Sequence, residues 1–224
     1  MSIAKNLEII KNEIPQHVKL VAVSKTHPIE SIIQAYNLGH KIFGENKVQE
    51  LVQKHESLPK DIEWHMIGHL QTNKIKFIAP FVSLIHSVDS LKLLKEINKE
   101  AIKNNRIINV LLEIFIAHEE TKFGLNQDEA SEILNSKEYS ILKNIQVCGV
   151  MGMATYTENI KTIKTEFDNL KHIFTFLKAK YFSKNPDFKE ISMGMSSDFK
   201  LAIESGSTII RVGSMIFGER DYSK

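Results

Sequence analysis

Short runs rich in valine, isoleucine and leucine alternate, from one end of the chain to the other, with longer stretches whose apolar residues recur every three or four positions. The runs VKLVAVS (18–24), HKIF (40–43), EWHMI (63–67), FVSLIHSV (81–88), IINVLLEIFI (107–116), IQVCGV (145–150), KEISM (189–193) and TIIRV (208–212) read as eight strands. Helical spacing predicts an N-terminal helix in MSIAKNLEIIKNEI, helices at about 28–38, 45–57, 71–79, 90–104, 127–137, 158–181 and 197–205, and a short segment after Gly213. Pro28, Asp89-Ser90 and Asn126 stand where helices should start, and Gly39 and Gly206 where they should stop. Several strand runs are apolar throughout rather than alternating, as parallel strands covered by helices require. No linker or repeat interrupts the series, so residues 1–224 are expected to form one domain. Eight βα units point to a (β/α)8 barrel, with an open doubly wound sheet as the alternative that counting leaves.

A barrel gathers its chemistry where strands end and helices begin. The residues at those junctions are Ser24-Lys25-Thr26-His27, Gly44-Glu45-Asn46, Gly68-His69, Ser87-Val88-Asp89, Met151-Gly152-Met153, Gly194-Met195-Ser196-Ser197 and Gly213-Ser214, whereas the opposite ends carry mostly Lys, Asn, Glu and Pro. Ser196-Ser197 and Gly213-Ser214 are each read as opening a helix after a glycine turn, offering backbone N–H groups and hydroxyls to an anion. They fall in the seventh and eighth strand-end loops, which frequently hold phosphate in barrels. Arg211, just ahead of Gly213, adds a permanent charge with a planar fork. Turn and cap duties alone would account for the glycines and serines, but the convergence of two loops and an arginine favours a phosphate. Lys25 closes the apolar run LVAVSK, where its amine should face the barrel mouth. Desolvation and a neighbouring cation both favour the neutral amine, the nucleophile that forms an imine with an aldehyde.

Composition narrows the remaining classes. With 42% hydrophobic and 25% charged residues the chain is of ordinary globular type, and a net charge of +2 without an aromatic-studded basic stripe predicts no nucleic-acid partner. No apolar stretch approaches the length of a membrane span, and the N-terminus lacks the pattern of a secretory signal. The single cysteine, Cys148, fits a reducing compartment and reads as a small core residue, so a cytoplasmic protein is expected. His65 and His69 have the i, i+4 spacing of a helical metal site, but Gly68 and the preceding apolar run predict a strand and turn, so no metal is expected. Gly194-Met195-Ser196 resembles a nucleophile elbow. Asp198 stands where its second glycine belongs, and no histidine follows His172.

The motifs LVAVSKTHP (20–28), FGENKVQE (43–50), WHMIGHLQTNK (64–74), EETKFGL (119–125), GVMGMA (149–154) and SMGMSSDFKLAIESGSTIIRVGSMIFGER (192–220) together resemble the pyridoxal 5′-phosphate homeostasis protein family. That resemblance implies a single (β/α)8 barrel like the N-terminal domain of alanine racemase, with pyridoxal 5′-phosphate (PLP) held as an imine on Lys25. It implies that Ser196, Ser197, Gly213 and Ser214 hold the phosphate, that Asn46 lines the cofactor face, and that Met193 and Met151 pack near the ring. Arg211 is assigned to the phosphate end, with the pyridine nitrogen as its alternative partner. Two departures stand out: His69 occupies a variable position, and EIFIA (113–117) lacks the asparagine expected at the end of strand five, which puts the polar lining there in doubt.

Alanine racemase shares such a barrel and lysine but adds a second base, a tyrosine from a further β-domain. This sequence ends at Lys224 without one, and none of Tyr36, Tyr139, Tyr156, Tyr181 and Tyr222 is read as following a strand-end motif. The expected function is therefore a non-catalytic carrier that stores, buffers or delivers PLP, with PLP-dependent apoenzymes as partners. A weak PLP-dependent amino-acid racemase is the alternative. With no large apolar helix face left over, a monomer is expected.

Overall fold

The computed structural model describes residues 2–117 and 124–218; most of the EETKFGL motif, the last two residues of the 192–220 motif, and Tyr222 lie outside them. Strands β1 (Lys19–Val23), β2 (Ile42–Glu45), β3 (Glu63–Met66), β4 (Leu84–Val88), β5 (Ile108–Glu113), β6 (Ile145–Met151), β7 (Glu190–Ser192) and β8 (Ile209–Val212) pair in sequence order. Every pairing is parallel, and β8 returns to β1 through Lys19–Ile209 and Val21–Arg211, which closes the barrel and removes the open-sheet alternative.

The helices are α1 (Ile3–Glu13), α2 (Ile29–Asn37), α3 (Val48–Ser57), α4 (Ile75–Ile78), α5 (Leu91–Lys103), α6 (Gln127–Asn135), α7 (Lys137–Ser140), α8 (Ile160–Tyr181), α9 (Phe199–Glu204) and α10 (Ser214–Phe217). Local chemistry explains their ends. Ser90 accepts from Leu93 N, Asn126 and Glu129 form a reciprocal capping box, and Pro28 occupies the cap position of α2. Gly39 and Gly206 take the left-handed conformation at φ 78° and 94° just past α2 and α9.

One core lies between sheet and helices and includes Phe43, Trp64, Met66, Phe167 and Phe188; full burial of each such side chain contributes about 2 kcal/mol. A second, smaller cluster of Val21, Leu84, Leu111, Met151 and Ile209 plugs the barrel itself. Side chains alternate along a strand, so these five residues set the phase that decides which others face the interior. Gly149 is required where β6 meets β7: at φ 154°, a Cβ there would lie 1.8 Å from the Glu190 carbonyl oxygen. Cys148, expected in the core, is only half-buried and lines a cavity at the N-terminal mouth. Among the described residues no helix is long and apolar enough to cross a membrane.

Candidate functional site

At the C-terminal mouth a cleft of about 340 Å³ is lined by Lys25, Asn46, Ser196, Ser197, Arg211, Gly213 and Ser214, together with Val23, Ile67, Met153, Tyr156 and Met195. Seven of the eight predicted binding residues thus meet in one place, although Lys25 and Ser214 stand at opposite ends of the sequence. Closure of β8 onto β1 brings them together.

The eighth, Met193, does not reach the cleft. Ser192 is paired with Met151 and Ile209, both in the interior plug, so Ser192 points inward and Met193 outward into the core beneath the helices, where it is fully buried. Met151 lies in the plug rather than against the cleft wall. The methionines that line the cleft are Met153 and Met195.

Lys25 extends from the end of β1 and is half-buried. Its neighbours are clamped from outside the barrel. Ser24 Oγ donates to Glu45 Oε1 at 2.6 Å, Lys54 Nζ donates to the Ser24 carbonyl at 2.7 Å, and the Thr26 N–H donates to Glu50 Oε1 at 2.6 Å. Lys54 also pairs with Glu45 and Glu50, at 2.8 and 2.7 Å, which ties the three contacts into one network. Thr26, at φ 68°, is one of two non-glycine residues among those described with a positive φ, so the network holds the SKT turn in a conformation it would otherwise avoid. Burial pushes the Glu45 carboxyl up to about 7, against the pull of Lys54 and Ser24.

The two glycine-containing loops are joined directly: Gly213 N donates to Ser196 Oγ at 3.3 Å. Their local form differs from the prediction. The serine pair does not open a helix; Asp198 is the cap residue of α9, and its carboxylate accepts from Met195 N at 2.6 Å. Ser196 and Ser197 therefore lie in the turn preceding α9, a turn that Gly194 permits at φ 95° where a Cβ would meet Ala202 Cβ at 2.6 Å. Ser214 does open a helix, the single turn α10.

Arg211 is paired with Val21 and so projects inward, 5% exposed, at the floor of the cleft. Its guanidinium donates to Ser192 Oγ at 2.7 Å and to the Gly152 carbonyl at 3.2 Å. Burial lowers its pKa to about 10, while Asp198 and Glu113 favour its charge. Glu113 resolves the doubt over strand five. It follows Leu111 by two residues, so it faces the interior and supplies a polar group there in place of an asparagine. Burial and Asp89 raise the Glu113 carboxyl to about 7, with Arg211 acting in the opposite sense.

In the sequence Glu45 stands out only as a junction residue and Glu113 only as the start of EIFIA, and nothing there marks Lys54, His86 or Ser192. His65 was weighed only as a metal ligand; it lies on β3, as the predicted strand requires, and its ring contacts His86. Trp64 and Met66, on the same strand, are core residues. Tyr156 is a correction: it lies five residues beyond β6 and lines the cleft, so one tyrosine does follow a strand-end motif. It is 91% exposed.

Comparison with known proteins identifies the fold and the family. Residues 1–221 match the family model described as alanine racemase, N-terminal domain. A pyridoxal phosphate homeostasis protein of Aquifex aeolicus is 44% identical over 91% of this chain and 88% of its own length. The structure of PipY from Synechococcus elongatus PCC7942 with PLP bound is 33% identical, covers 97% of this chain and 100% of that one, and superposes with a TM-score of 0.86. An alanine racemase of Clostridium difficile, 15% identical with a TM-score of 0.77 over 97% of this chain and 60% of its own, shares the fold. On the closed barrel, the site it assembles and these matches, the chain belongs to the pyridoxal phosphate homeostasis protein family, whose barrel is that of the alanine racemase N-terminal domain.

Proposed function

We propose that this protein, as one PLP-binding unit spanning 1–224, carries PLP on Lys25 and stores, buffers or delivers it in the cytoplasm, limiting the concentration of a reactive free aldehyde. The observation that carries the reading is the meeting of Lys25 with Ser196, Ser197, Gly213 and Ser214 in one cleft. The donor set suits the ligand. A primary amine condenses with the aldehyde carbon and releases water, while hydroxyls and backbone N–H groups donate hydrogen bonds to the oxygens of a phosphate dianion. The cleft volume lies near the lower end of the range for small-molecule sites. The names of the relatives and the PLP in the PipY structure support the same assignment.

Each residue has a distinct task. Lys25 holds the cofactor covalently, and the Glu45–Lys54–Glu50 network keeps the lysine's backbone in place. Ser196, Ser197, Gly213 and Ser214 grip the phosphate, and Asn46 borders the ring from the β2 end. Arg211 sits below these loops on the floor of the cleft, with one N–H of each Nη engaged in the interior, a position that favours the pyridine nitrogen over the phosphate as its partner. A guanidinium there keeps the nitrogen unprotonated and makes bound PLP a poor electron sink. That suits a carrier better than an enzyme.

The presence of Tyr156 at the cleft keeps racemisation as the competing activity. PLP-loaded protein incubated with a panel of L- and D-amino acids separates the two. A carrier shows no sustained inversion of any amino acid. Turnover that is abolished both by Lys25→Ala and by Tyr156→Phe would establish the racemase instead.

A further inference from the structure

Below the cleft, a line of polar side chains crosses the barrel interior. Arg211 Nη1 donates to Ser192 Oγ at 2.7 Å, Ser192 Oγ lies 2.9 Å from His86 Nδ1, and His86 Nε2 lies 3.0 Å from His65 Nδ1. His65 in turn lines the cavity of about 370 Å³ at the opposite mouth, together with Leu84, Asn109 and Cys148. Arg211 therefore belongs to one mouth of the barrel and His65 to the other. Ser192 and His86 are fully buried between them and line neither.

Donor and acceptor counting fixes the direction of this line. A guanidinium has no acceptor, so Arg211 can only donate to Ser192 Oγ. The serine's one proton needs an acceptor, and among the described residues its other partner is His86 Nδ1. His86 is then unprotonated at Nδ1 and carries its proton on Nε2, from which it donates to His65 Nδ1. His65 is left protonated on Nε2. Burial holds both rings neutral, lowering His65 to about 3 and His86 well below the usual histidine value, with the nearby cations Lys19 and Arg211 adding to it.

We propose that Ser192, His86 and His65 are positioning residues for Arg211, acting through one directional hydrogen-bond chain that links the cofactor cleft to the opposite mouth of the barrel. Resting on the PLP reading above, the chain holds the guanidinium's plane and so its contact with the cofactor. Loss of a link leaves Arg211 free to reorient and leaves a buried polar atom without a partner.

Two measurements test the chain. In cofactor-free wild-type protein, nitrogen-15 NMR of labelled histidine should show His86 and His65 neutral, with Nδ1 unprotonated and Nε2 protonated, between about pH 5 and 8. In PLP-loaded protein, Ser192→Ala and His86→Leu should shift the visible band of Lys25-bound PLP and weaken PLP binding roughly tenfold. His86→Gln, which keeps an acceptor and a donor, should restore both towards wild type. A proton on His86 Nδ1 overturns the proposal, as do folded Ser192→Ala and His86→Leu proteins whose band is unmoved and whose affinity stays within about twofold. Should those variants not fold, the wild-type tautomers still decide. A wild-type protein that never attaches PLP to Lys25 defeats the functional reading, and is recognised separately because the tautomers are measured without cofactor.

Discussion

Gly213 N donates to Ser196 Oγ at 3.3 Å, so the loop after β8 and the loop after β7 are joined before any ligand is considered. The bond is long, at the weak edge of the N–H···O range. It holds two donors side by side at the place assigned to the phosphate. A phosphate oxygen accepts from both groups more strongly than the hydroxyl accepts from the amide.

Ser196→Ala should therefore weaken PLP binding by about tenfold while leaving pyridoxal, which lacks the phosphate, within about twofold of its wild-type affinity. Titration of each aldehyde followed by its absorption band makes the comparison. Equal losses for both ligands would remove Ser196 from the phosphate site.

The clamp on the SKT turn predicts a stability effect. Lys54 is 5% exposed and donates to Ser24 O, Glu45 Oε1 and Glu50 Oε1. Lys54→Met removes one partner of a buried ion pair, and such a loss destabilises by about 3–5 kcal/mol. Urea unfolding should show that drop, and the Thr26 turn, no longer held, should bind PLP more weakly even where the protein is folded. A variant as stable as wild type would mean that the network contributes nothing net.

Glu113 gives a pH dependence with a definite sign. Its carboxyl is raised from 4.5 to about 7 by burial and Asp89, so between those values the folded protein retains a proton that the unfolded chain releases. Its contribution to stability accordingly falls as pH rises from about 4.5 to about 7 and is level above that, a change on the order of 3 kcal/mol. Glu113→Gln lacks this slope. Measured against wild type from pH 4 to 8, the variant should gain relative stability across that window, and a constant difference would contradict the assigned environment.

The strand-end motifs were legible because small polar residues at junctions are visible without knowing which way a strand faces. Lys25, Ser196, Ser197, Gly213 and Ser214 stand out that way, as do the caps at Ser90 and Asn126, whereas Arg211 is read from its charge just ahead of Gly213 and Asn46 takes its role from the family resemblance. What the sequence concealed was the phase of the parallel strands. A run such as LIHSV is buried at every position, so nothing in it distinguishes His86, inside the barrel, from Ile85, in the core beneath the helices. The same ambiguity hides that Met193 faces the core beneath the helices. Glu45 and Lys54 lie nine residues apart on a strand and a helix, and only the folded packing brings them under Ser24.

The central claim is that Lys25 holds PLP covalently, and the most direct measurement is the visible spectrum of the purified, PLP-treated protein before and after borohydride reduction, followed by peptide mapping. The account predicts an imine band that reduction abolishes, a pyridoxyl label on the peptide containing Lys25, and no band in Lys25→Ala. A label located on other lysines, with the band intact in Lys25→Ala, would contradict it.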